Sequence, residues 1–137
     1  MGVEGSCLCG AVRYRVNGAL GGVDHCHCSM CRRQHGAAFA TYADCDVDAF
    51  SWIAGEHNVA VYHAAGGGGW AFCRQCGSTL AGTDEGEVTS VALGTVEGDP
   101  GVRADCHIYT GSKAVWYDIE DNLPQYDTRP DHDGDQP

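Results

Sequence analysis

Hydrophobic and polar residues alternate along several short segments of the chain. In the stretch AVRYRVN, Val12, Tyr14 and Val16 fall on one side, and the stretch NVAVYHA at residues 58–64 repeats the pattern. Successive side chains of a β-strand point to opposite faces, so this alternation predicts strands with one buried face. The same criterion predicts further short strands at residues 70–73, 88–94 and 106–110.

Glycine-rich turns separate these segments, and long apolar repeats of helical period are scarce. The turn signals lie at residues 17–22, 64–69 and 97–101. The strongest helix candidate is the short segment SMCRRQHG at residues 29–36, with Gly36 as its stop signal. No internal repeat or linker is visible. The pattern therefore predicts one mainly β domain with irregular loops and with Trp52 and Trp70 in its core.

Composition and charge restrict the class of protein. The 137 residues fit one domain, and no run of about 18 apolar residues indicates a membrane span. The formal net charge of −11 disfavours contact with phosphate backbones and anionic lipids, so we expect neither nucleic-acid nor membrane partners. The first residues, MGVEGS, lack secretory features, which predicts a flexible start and a cytoplasmic protein. Residues 1–127 are predicted to form the domain, and residues 128–137 an acidic disordered tail.

Cysteine is the residue type that carries the candidate chemistry. The chain has nine cysteines, an odd number that cannot pair fully within one molecule. In a reducing cytosol, clustered cysteines bind metal more often than they form disulfides. Isolated Cys45 and Cys106 fit the role of small buried hydrophobic residues. The other seven form the clusters Cys7-x-Cys9, Cys26-x-Cys28-x-x-Cys31 and Cys73-x-x-Cys76.

The segment CRQCG at residues 73–77 is typical of a zinc knuckle. Gly77 tolerates a positive φ, which lets backbone N–H groups turn toward the two sulfurs. A Cys-x-x-Cys pair can instead be a redox pair, but such pairs usually precede a long helix. No long helix pattern follows Cys76, so the sequence favours zinc.

Seven thiols divide naturally into four and three. Four thiolates complete a tetrahedral structural zinc site, whereas three protein ligands leave one position for water or substrate. In one partition the middle cluster forms a site alone; we call it the triplet, and its members are Cys26, Cys28 and Cys31. In the alternative, His25, His27 or Cys106 completes the triplet, which is then purely structural. The spacing of the ligands does not decide between these partitions.

Four blocks of sequence, taken in order, resemble one known family. They are GSCLCGAVRYRV, HCHCSMCRRQHGAAF, FCRQCGSTL and CHIYTGSKAVWYDIEDNLPQYD. Together they are similar to the glutathione-dependent formaldehyde-activating enzyme family, also called the centromere protein V type domain. The resemblance extends from about Gly5 to Asp127, and all seven clustered cysteines fall at matching places.

The resemblance implies a mainly β, Mss4-like β-tent fold with short helices and two Zn²⁺ ions per chain. It implies a catalytic zinc held by the triplet and a structural zinc held by Cys7, Cys9, Cys73 and Cys76. The implied reaction is that of a carbon–sulfur lyase, which condenses glutathione with formaldehyde to S-(hydroxymethyl)glutathione. Two alternatives remain: a zinc-stabilised binding module without catalysis, and an enzyme of the same fold that uses another small thiol or aldehyde.

Glutathione carries two carboxylates, so an acidic protein needs local cations to bind it. Arginine suits a carboxylate because its planar guanidinium donates two parallel hydrogen bonds. Arg32 and Arg33 directly follow the triplet, although they could pair with Asp44 or Asp46 instead. The candidate substrate-binding residues are therefore Arg32, Arg33, Lys113 and Trp116.

Addition of a thiolate to an aldehyde leaves an alkoxide that needs a proton. Histidine titrates near neutral pH and is the usual residue for this task. The candidates are His25, His27 and His107, and the sequence does not select one of them.

Overall fold

Strands account for most of the regular structure in the computed structural model, which describes residues 2–130. The strands are β1 (Gly2–Ser6), β2 (Arg13–Asn17), β3 (Val23–Cys26), β4 (Ala40–Asp44), β5 (Phe50–Ala54), β6 (Val59–His63), β7 (Gly68–Cys73), β8 (Thr79–Asp84), β9 (Glu87–Ala92) and β10 (Cys106–Ile108). The helix α1 spans Ser29–His35, and short 3-10 helices span Val47–Ala49, Glu56–Asn58, Leu93–Thr95 and Thr110–Ser112. The prediction of a mainly β fold with short helices is confirmed, while the Mss4-like designation stays a prediction.

The chain divides into two units, each built from two separate stretches of sequence. In the described range, the first unit contains residues 2–22 and 42–103, and the second contains residues 23–41 and 104–130. Strand β4 begins in the second unit and ends in the first.

In the first unit, β2 pairs in antiparallel fashion with β1 on one side and β5 on the other. Val12, Tyr14 and Val16 are fully buried, so the face predicted from the alternation in residues 11–17 is confirmed. Tyr14 also stacks on Phe50 of β5, with 5.3 Å between ring centroids. The hydroxyl of Tyr14 hydrogen-bonds Thr95 at 2.7 Å, which satisfies the polar end of a buried ring.

The remaining strands of the first unit run antiparallel in the order β4-β9-β8-β7-β6. Trp70 on β7 is buried, and Trp52 on β5 packs against the core, as the sequence predicts for both. The centre of this core consists of Ala71, Ala81 and Val88, with Cys45, Phe50, Trp52, Val59 and Val61 packed against it.

The second unit contains a parallel pair of strands and the helix. In this pair, Cys106 of β10 lies opposite Asp24 of β3, and Ile108 lies opposite Cys26. The helix α1 ends at Gly36, whose φ of 60° is left-handed and whose N–H donates to the carbonyl of Arg32. The predicted helix and its stop signal are thus confirmed.

Several strands carry no alternation strong enough to predict them. The start of the chain, for which we expected flexibility, is the strand β1, because its backbone pairs with β2 over five residues from Gly2 to Ser6. The sequence pattern also does not predict β3, β4, β5 and β8. Strand β3 is rich in polar residues and cysteine, and β4 and β8 contain small residues. These strands depend on pairing with neighbours rather than on local propensity.

The predicted acidic tail falls mostly outside the part of the chain that the structure describes. At its beginning, the Thr128 carbonyl accepts a hydrogen bond from the N–H of Tyr109 at 2.9 Å. Residues 131–137 lie outside the described residues, and a disordered tail stays a prediction. Between residues 2 and 130, no helix has the length and apolar character needed to cross a bilayer.

Gly55 provides a test of how tightly the first unit is packed. Its φ is 73°, and a Cβ added there would collide with the carbonyl oxygen of Ala11. Gly98 has the same φ of 73° but has no heavy atom within 4 Å of its Cβ position. We expect Gly55→Ala to lower the free energy of unfolding by about 1–3 kcal/mol more than Gly98→Ala, because only the first adds overpacking to backbone strain. Urea unfolding of both variants measures this difference, and equal losses would contradict it.

Candidate metal centres

Four cysteines of the first unit converge although 64 residues separate the two pairs. Their sulfur atoms lie within 4.8 Å of one another. The Sγ of Cys9 is 3.7 Å from that of Cys7 and 3.9 Å from that of Cys73. The members of this group, which we call the tetrad, are Cys7, Cys9, Cys73 and Cys76.

The sulfur spacing of the tetrad fits a tetrahedral zinc site. Zinc–sulfur bonds of about 2.3 Å imply neighbouring sulfurs about 3.8 Å apart at the corners of a tetrahedron. The two sulfur–sulfur distances of 3.7 and 3.9 Å agree with this value. All nine cysteines are free, so no disulfide competes for these thiols.

Backbone N–H groups surround the tetrad sulfurs. Cys73 Sγ accepts hydrogen bonds from the N–H groups of Gln75 at 3.3 Å and Cys76 at 3.5 Å. Gly77 has a φ of 82°, and its N–H donates to the carbonyl of Cys73. This geometry agrees with the zinc knuckle expected from CRQCG.

Ser78 is a member of this centre that sequence reasoning missed. Its hydroxyl oxygen lies 3.4 Å from Cys76 Sγ and accepts a hydrogen bond from the N–H of Leu8 at 2.8 Å. The hydrogen bond that Cys76 shares with the Ser78 hydroxyl lowers the pKa of Cys76 to about 5. Ser78 thus joins the two halves of the tetrad. Its position two residues after Cys76 is the only signal that the sequence offers for this role.

The triplet lies in the second unit, where the end of β3 meets the start of α1. Its three sulfurs are within 4.8 Å of one another. Cys26 is the last residue of β3, and Cys28 is the N-cap of α1. The Sγ of Cys28 accepts a hydrogen bond from the N–H of Cys31 at 3.3 Å, as a capping side chain does. Capping and metal binding therefore require the same orientation of this side chain.

Close contact makes the triplet thiols compete for protons. Hydrogen bonds from Cys26 and Cys31 lower the pKa of Cys28. The same interaction with Cys28 raises the pKa of Cys26 to about 12, and contact with Cys26 raises the pKa of Cys31. Three adjacent thiolates repel one another, so full deprotonation requires a cation between them. The donor set, three soft sulfurs, suits zinc.

Among residues 2–130, no histidine or further cysteine joins the three sulfurs within this distance. Strand alternation explains why His25 and His27 do not. The backbone is extended at Cys28, and the His27 N–H continues the pairing with β10 at Ile108. Side chains two residues apart share a face, so Cys26 and Cys28 lie on one face and the two histidines on the other.

The imidazoles form a cluster of their own on that opposite face. The ring of His107 lies 4.9 Å from that of His25 and 5.0 Å from that of His27, between centroids. Phe39 packs against His25 at 4.5 Å, and Tyr117 packs against Phe39 at 5.6 Å. The second unit thus brings together all three histidines that the sequence analysis considered for proton transfer.

A hydrogen-bonded chain runs through this cluster. His27 Nε2 lies 2.8 Å from His107 Nδ1, and His107 Nε2 lies 3.0 Å from an Asp121 carboxylate oxygen. His27 and His107 are almost completely buried. Burial lowers the pKa of His27 to about 4, so this imidazole is neutral at pH 7. Asp121 was not foreseen, because nothing in its sequence neighbourhood indicates a contact with His107.

Two of the positively charged residues predicted to bind substrate donate hydrogen bonds to backbone carbonyls. Arg32 donates from Nε to the carbonyl of Ser112 at 3.2 Å. Lys113 donates from Nζ to the carbonyls of Tyr117 at 2.5 Å and Ala114 at 3.2 Å. Each of these side chains still has further N–H donors, since a guanidinium has five and an ammonium three.

Arg33 and Trp116 are more accessible. Arg33 is an exposed residue of α1. Trp116 is 70% exposed, with one edge against Tyr117 at 6.3 Å between centroids. All four candidate substrate residues thus belong to the unit that contains the triplet, and their contact with substrate stays a prediction.

Comparison with known proteins gives a consistent set of similarities. Residues 2–112 match the model of the family described as glutathione-dependent formaldehyde-activating enzyme. A protein of Halomonas elongata, provisionally named as such an enzyme, is 31% identical over 128 residues, which cover 86% of this chain and 81% of the relative. A crystal structure of a Rhodobacter sphaeroides protein is similar with a TM-score of 0.55 and 26% identity, covering 70% of this chain and 89% of the other.

The number of zinc ions bound per chain should show whether each of the two centres binds metal. We expect the purified protein to bind two zinc ions per chain, and Cys28→Ser to bind about one, because a triplet reduced to two sulfurs is too weak a site. Cys45→Ser, which changes a half-buried thiol outside both groups, is the matched control and should retain two. Atomic emission spectroscopy after gel filtration measures the ratio, and an unchanged ratio in Cys28→Ser would exclude the triplet as a metal site.

Zinc binding at the triplet should weaken as the pH falls. Cys26 and Cys31 have raised pKa values and are protonated at neutral pH, so zinc must displace both protons. Release of at least two protons predicts that the affinity falls at least about 100-fold for each pH unit below neutrality. Competition with a chelator at several pH values, corrected for protonation of the chelator, measures the slope. An affinity that does not change with pH would contradict this account.

Proposed function

Because the chain belongs to the glutathione-dependent formaldehyde-activating enzyme family, we propose that it is a zinc-dependent carbon–sulfur lyase. Its reaction joins glutathione, or a related small thiol, to formaldehyde or another small aldehyde. The tetrad holds a structural zinc and the triplet holds a catalytic one. The location that we propose is the reducing cytoplasm, where clustered cysteines bind metal more often than they form disulfides.

The observation that carries the proposal is the difference between the two cysteine groups. The tetrad supplies four sulfurs, which complete a tetrahedral coordination shell. In the described chain, the triplet supplies three sulfurs and no fourth protein ligand. A group of this kind suits a metal that exchanges ligands, as catalytic zinc sites do.

Bound zinc would lower the pKa of an incoming thiol and make its thiolate available at neutral pH. The thiolate sulfur then attacks the carbonyl carbon, and a carbon–sulfur bond forms as the π electrons of the carbonyl move to oxygen. The resulting alkoxide takes up one proton and becomes a hydroxyl group. The balance is one thiol and one aldehyde consumed for one S-hydroxyalkyl product, with the thiol hydrogen transferred to oxygen.

The residues of the second unit can bind the rest of the thiol substrate. Arg33 is exposed on the helix that carries Cys31, and its guanidinium fits a carboxylate bidentately. Arg32 and Lys113 add positive charge, and Trp116 offers an apolar surface. In a protein with a net charge of −11, a local group of cations is needed to receive an anionic thiol.

The test is the rate of S-(hydroxymethyl)glutathione formation, followed by NMR with zinc-loaded protein. We expect the wild-type protein and Cys45→Ser to accelerate the reaction equally, and Cys28→Ser to return it to the uncatalysed rate. The reaction proceeds without help, so the acceleration must be measured against a protein-free control at low temperature.

The outcomes separate the alternatives. Acceleration that survives Cys28→Ser would place the chemistry outside the triplet. If no protein accelerates the reaction, repeating the experiment with other thiols and aldehydes tests the same-fold enzyme. A protein that binds glutathione without accelerating any condensation would support the binding module instead.

A further inference from the structure

The reaction described above assigns no role to the whole polar chain of His27, His107 and Asp121. Its inner end, His27, lies between two members of the triplet in sequence and is fully buried. Its outer end, Asp121, has a side chain that is 47% exposed. Buried polar chains of this kind are costly to build, so they usually serve orientation or specificity.

The outer end of the chain is itself fixed in place. The Asp121 carboxylate oxygens lie 3.0 and 3.2 Å from His107 Nε2. One of these oxygens also accepts the N–H of Leu123 at 3.0 Å. The backbone of His107 is bound on two sides, since its N–H donates to Pro124 and its carbonyl accepts from Tyr126. The carboxylate and the middle imidazole therefore have little freedom to move.

The positions of the hydrogens follow from the carboxylate. An ionised carboxylate only accepts hydrogen bonds, so His107 Nε2 carries a hydrogen and donates it to Asp121. When each imidazole carries a single hydrogen, the hydrogen on Nε2 leaves His107 Nδ1 as the acceptor of the bond to His27. His27 Nε2 must then carry the hydrogen of the 2.8 Å bond. Asp121 thus determines the tautomer of both histidines.

The hydrogen bond to His107 holds the side chain of His27 in place. In the described part of the molecule, His27 Nδ1 has no hydrogen-bond partner, so the bond to His107 is the ring's polar contact. His27 lies between Cys26 and Cys28 in extended backbone, and its ring points to the face opposite their sulfurs. Holding this ring in place therefore also holds the orientation of the extended segment on which Cys26 and Cys28 lie. The two sulfurs then stay on the same side of that segment.

We propose that Asp121, acting through His107 and His27, is a positioning residue that holds the triplet in its metal-binding geometry from the opposite face of the strand. This inference rests on the proposed function only in requiring that the triplet binds a metal. It differs from ordinary second-layer support because the carboxylate does not contact a metal ligand. It acts on the residue between two ligands.

The experiment compares three variants of the full chain loaded with zinc. Asp121→Ala removes the acceptor, and Asp121→Asn keeps an amide oxygen that can still accept from His107. Asp118→Ala removes an exposed carboxylate three residues away and is the matched control. Chelator competition gives the zinc affinity of each centre. Cadmium-113 NMR of the cadmium-loaded protein distinguishes a four-sulfur from a three-sulfur site and assigns the losses.

We expect Asp121→Ala to weaken the triplet site about 10-fold, the lower end of the usual cost of losing an outer-layer partner. The tetrad of the same molecules should keep its affinity, and Asp118→Ala should change neither site. Asp121→Asn should recover most of the lost zinc affinity of the triplet. The nitrogen-15 chemical shifts of His27 in the wild-type protein should show that Nε2 is protonated and Nδ1 is not.

Four outcomes would overturn the inference. Equal zinc affinities of the triplet in Asp121→Ala and Asp118→Ala would show that Asp121 does not act on the triplet. Parallel losses at both centres would indicate general destabilisation rather than positioning. A protonated Nδ1 on His27 would reverse the direction of the chain. A wild-type protein that binds a single metal would overturn the proposed triplet site as well, which distinguishes that failure from the others.

Discussion

Repulsion between neighbouring thiolates is the constraint on which the two candidate centres depend. Seven sulfur atoms are gathered into two groups in which every pair lies within 4.8 Å. Protons or a cation must occupy such groups, because adjacent negative charges in a partly buried site raise one another's pKa. The fold supplies part of the compensation through backbone N–H groups, four of which point at Cys7, Cys28 and Cys73. A divalent metal would supply the rest.

The tetrad has consequences for the first unit as a whole. It ties the connection between β1 and β2 to the turn between β7 and β8, two segments far apart in sequence. Bridging of this kind reduces the conformational freedom of the unfolded chain, so a metal bound there would contribute to folding. Ser78 and the N–H of Leu8 join the same two segments by hydrogen bonds. The tetrad therefore resembles a structural site in its connectivity as well as in its ligand number.

The triplet is organised differently, since its sulfurs come from one continuous stretch of six residues, 26–31, that starts at the last residue of β3 and ends in α1. Local backbone geometry gathers them: an extended segment, an N-cap and the first helical turn. What arrives from elsewhere in the second unit is the opposite face, where β10 brings His107 against His27. The long-range contacts of this unit thus pack against the segment that carries the triplet rather than add a sulfur to it. Arg32 and Lys113 also combine two roles. Each donates a hydrogen bond to a backbone carbonyl and has further N–H donors for a ligand.

The sequence by itself determined the features that depend on local spacing. The alternation in residues 11–17, the helix with its Gly36 cap, the knuckle with Gly77 and the grouping of cysteines are all visible within a few residues, because short-range geometry dictates them. The partition of seven thiols into four and three needed either the family resemblance or the structure. Spacing alone allowed a histidine to complete the triplet.

Only the tertiary structure decided which distant groups meet. Strands β1, β4 and β8 have weak patterns and exist because a partner satisfies their backbone groups. Ser78 beside Cys76 and Asp121 beside His107 are contacts that chain folding creates, and no local pattern encodes them. The face on which a histidine lies relative to the sulfurs follows from strand alternation, but only once the segment is known to be a strand. The physical reason is that side-chain type is a property of the residue, whereas contact is a property of the folded chain.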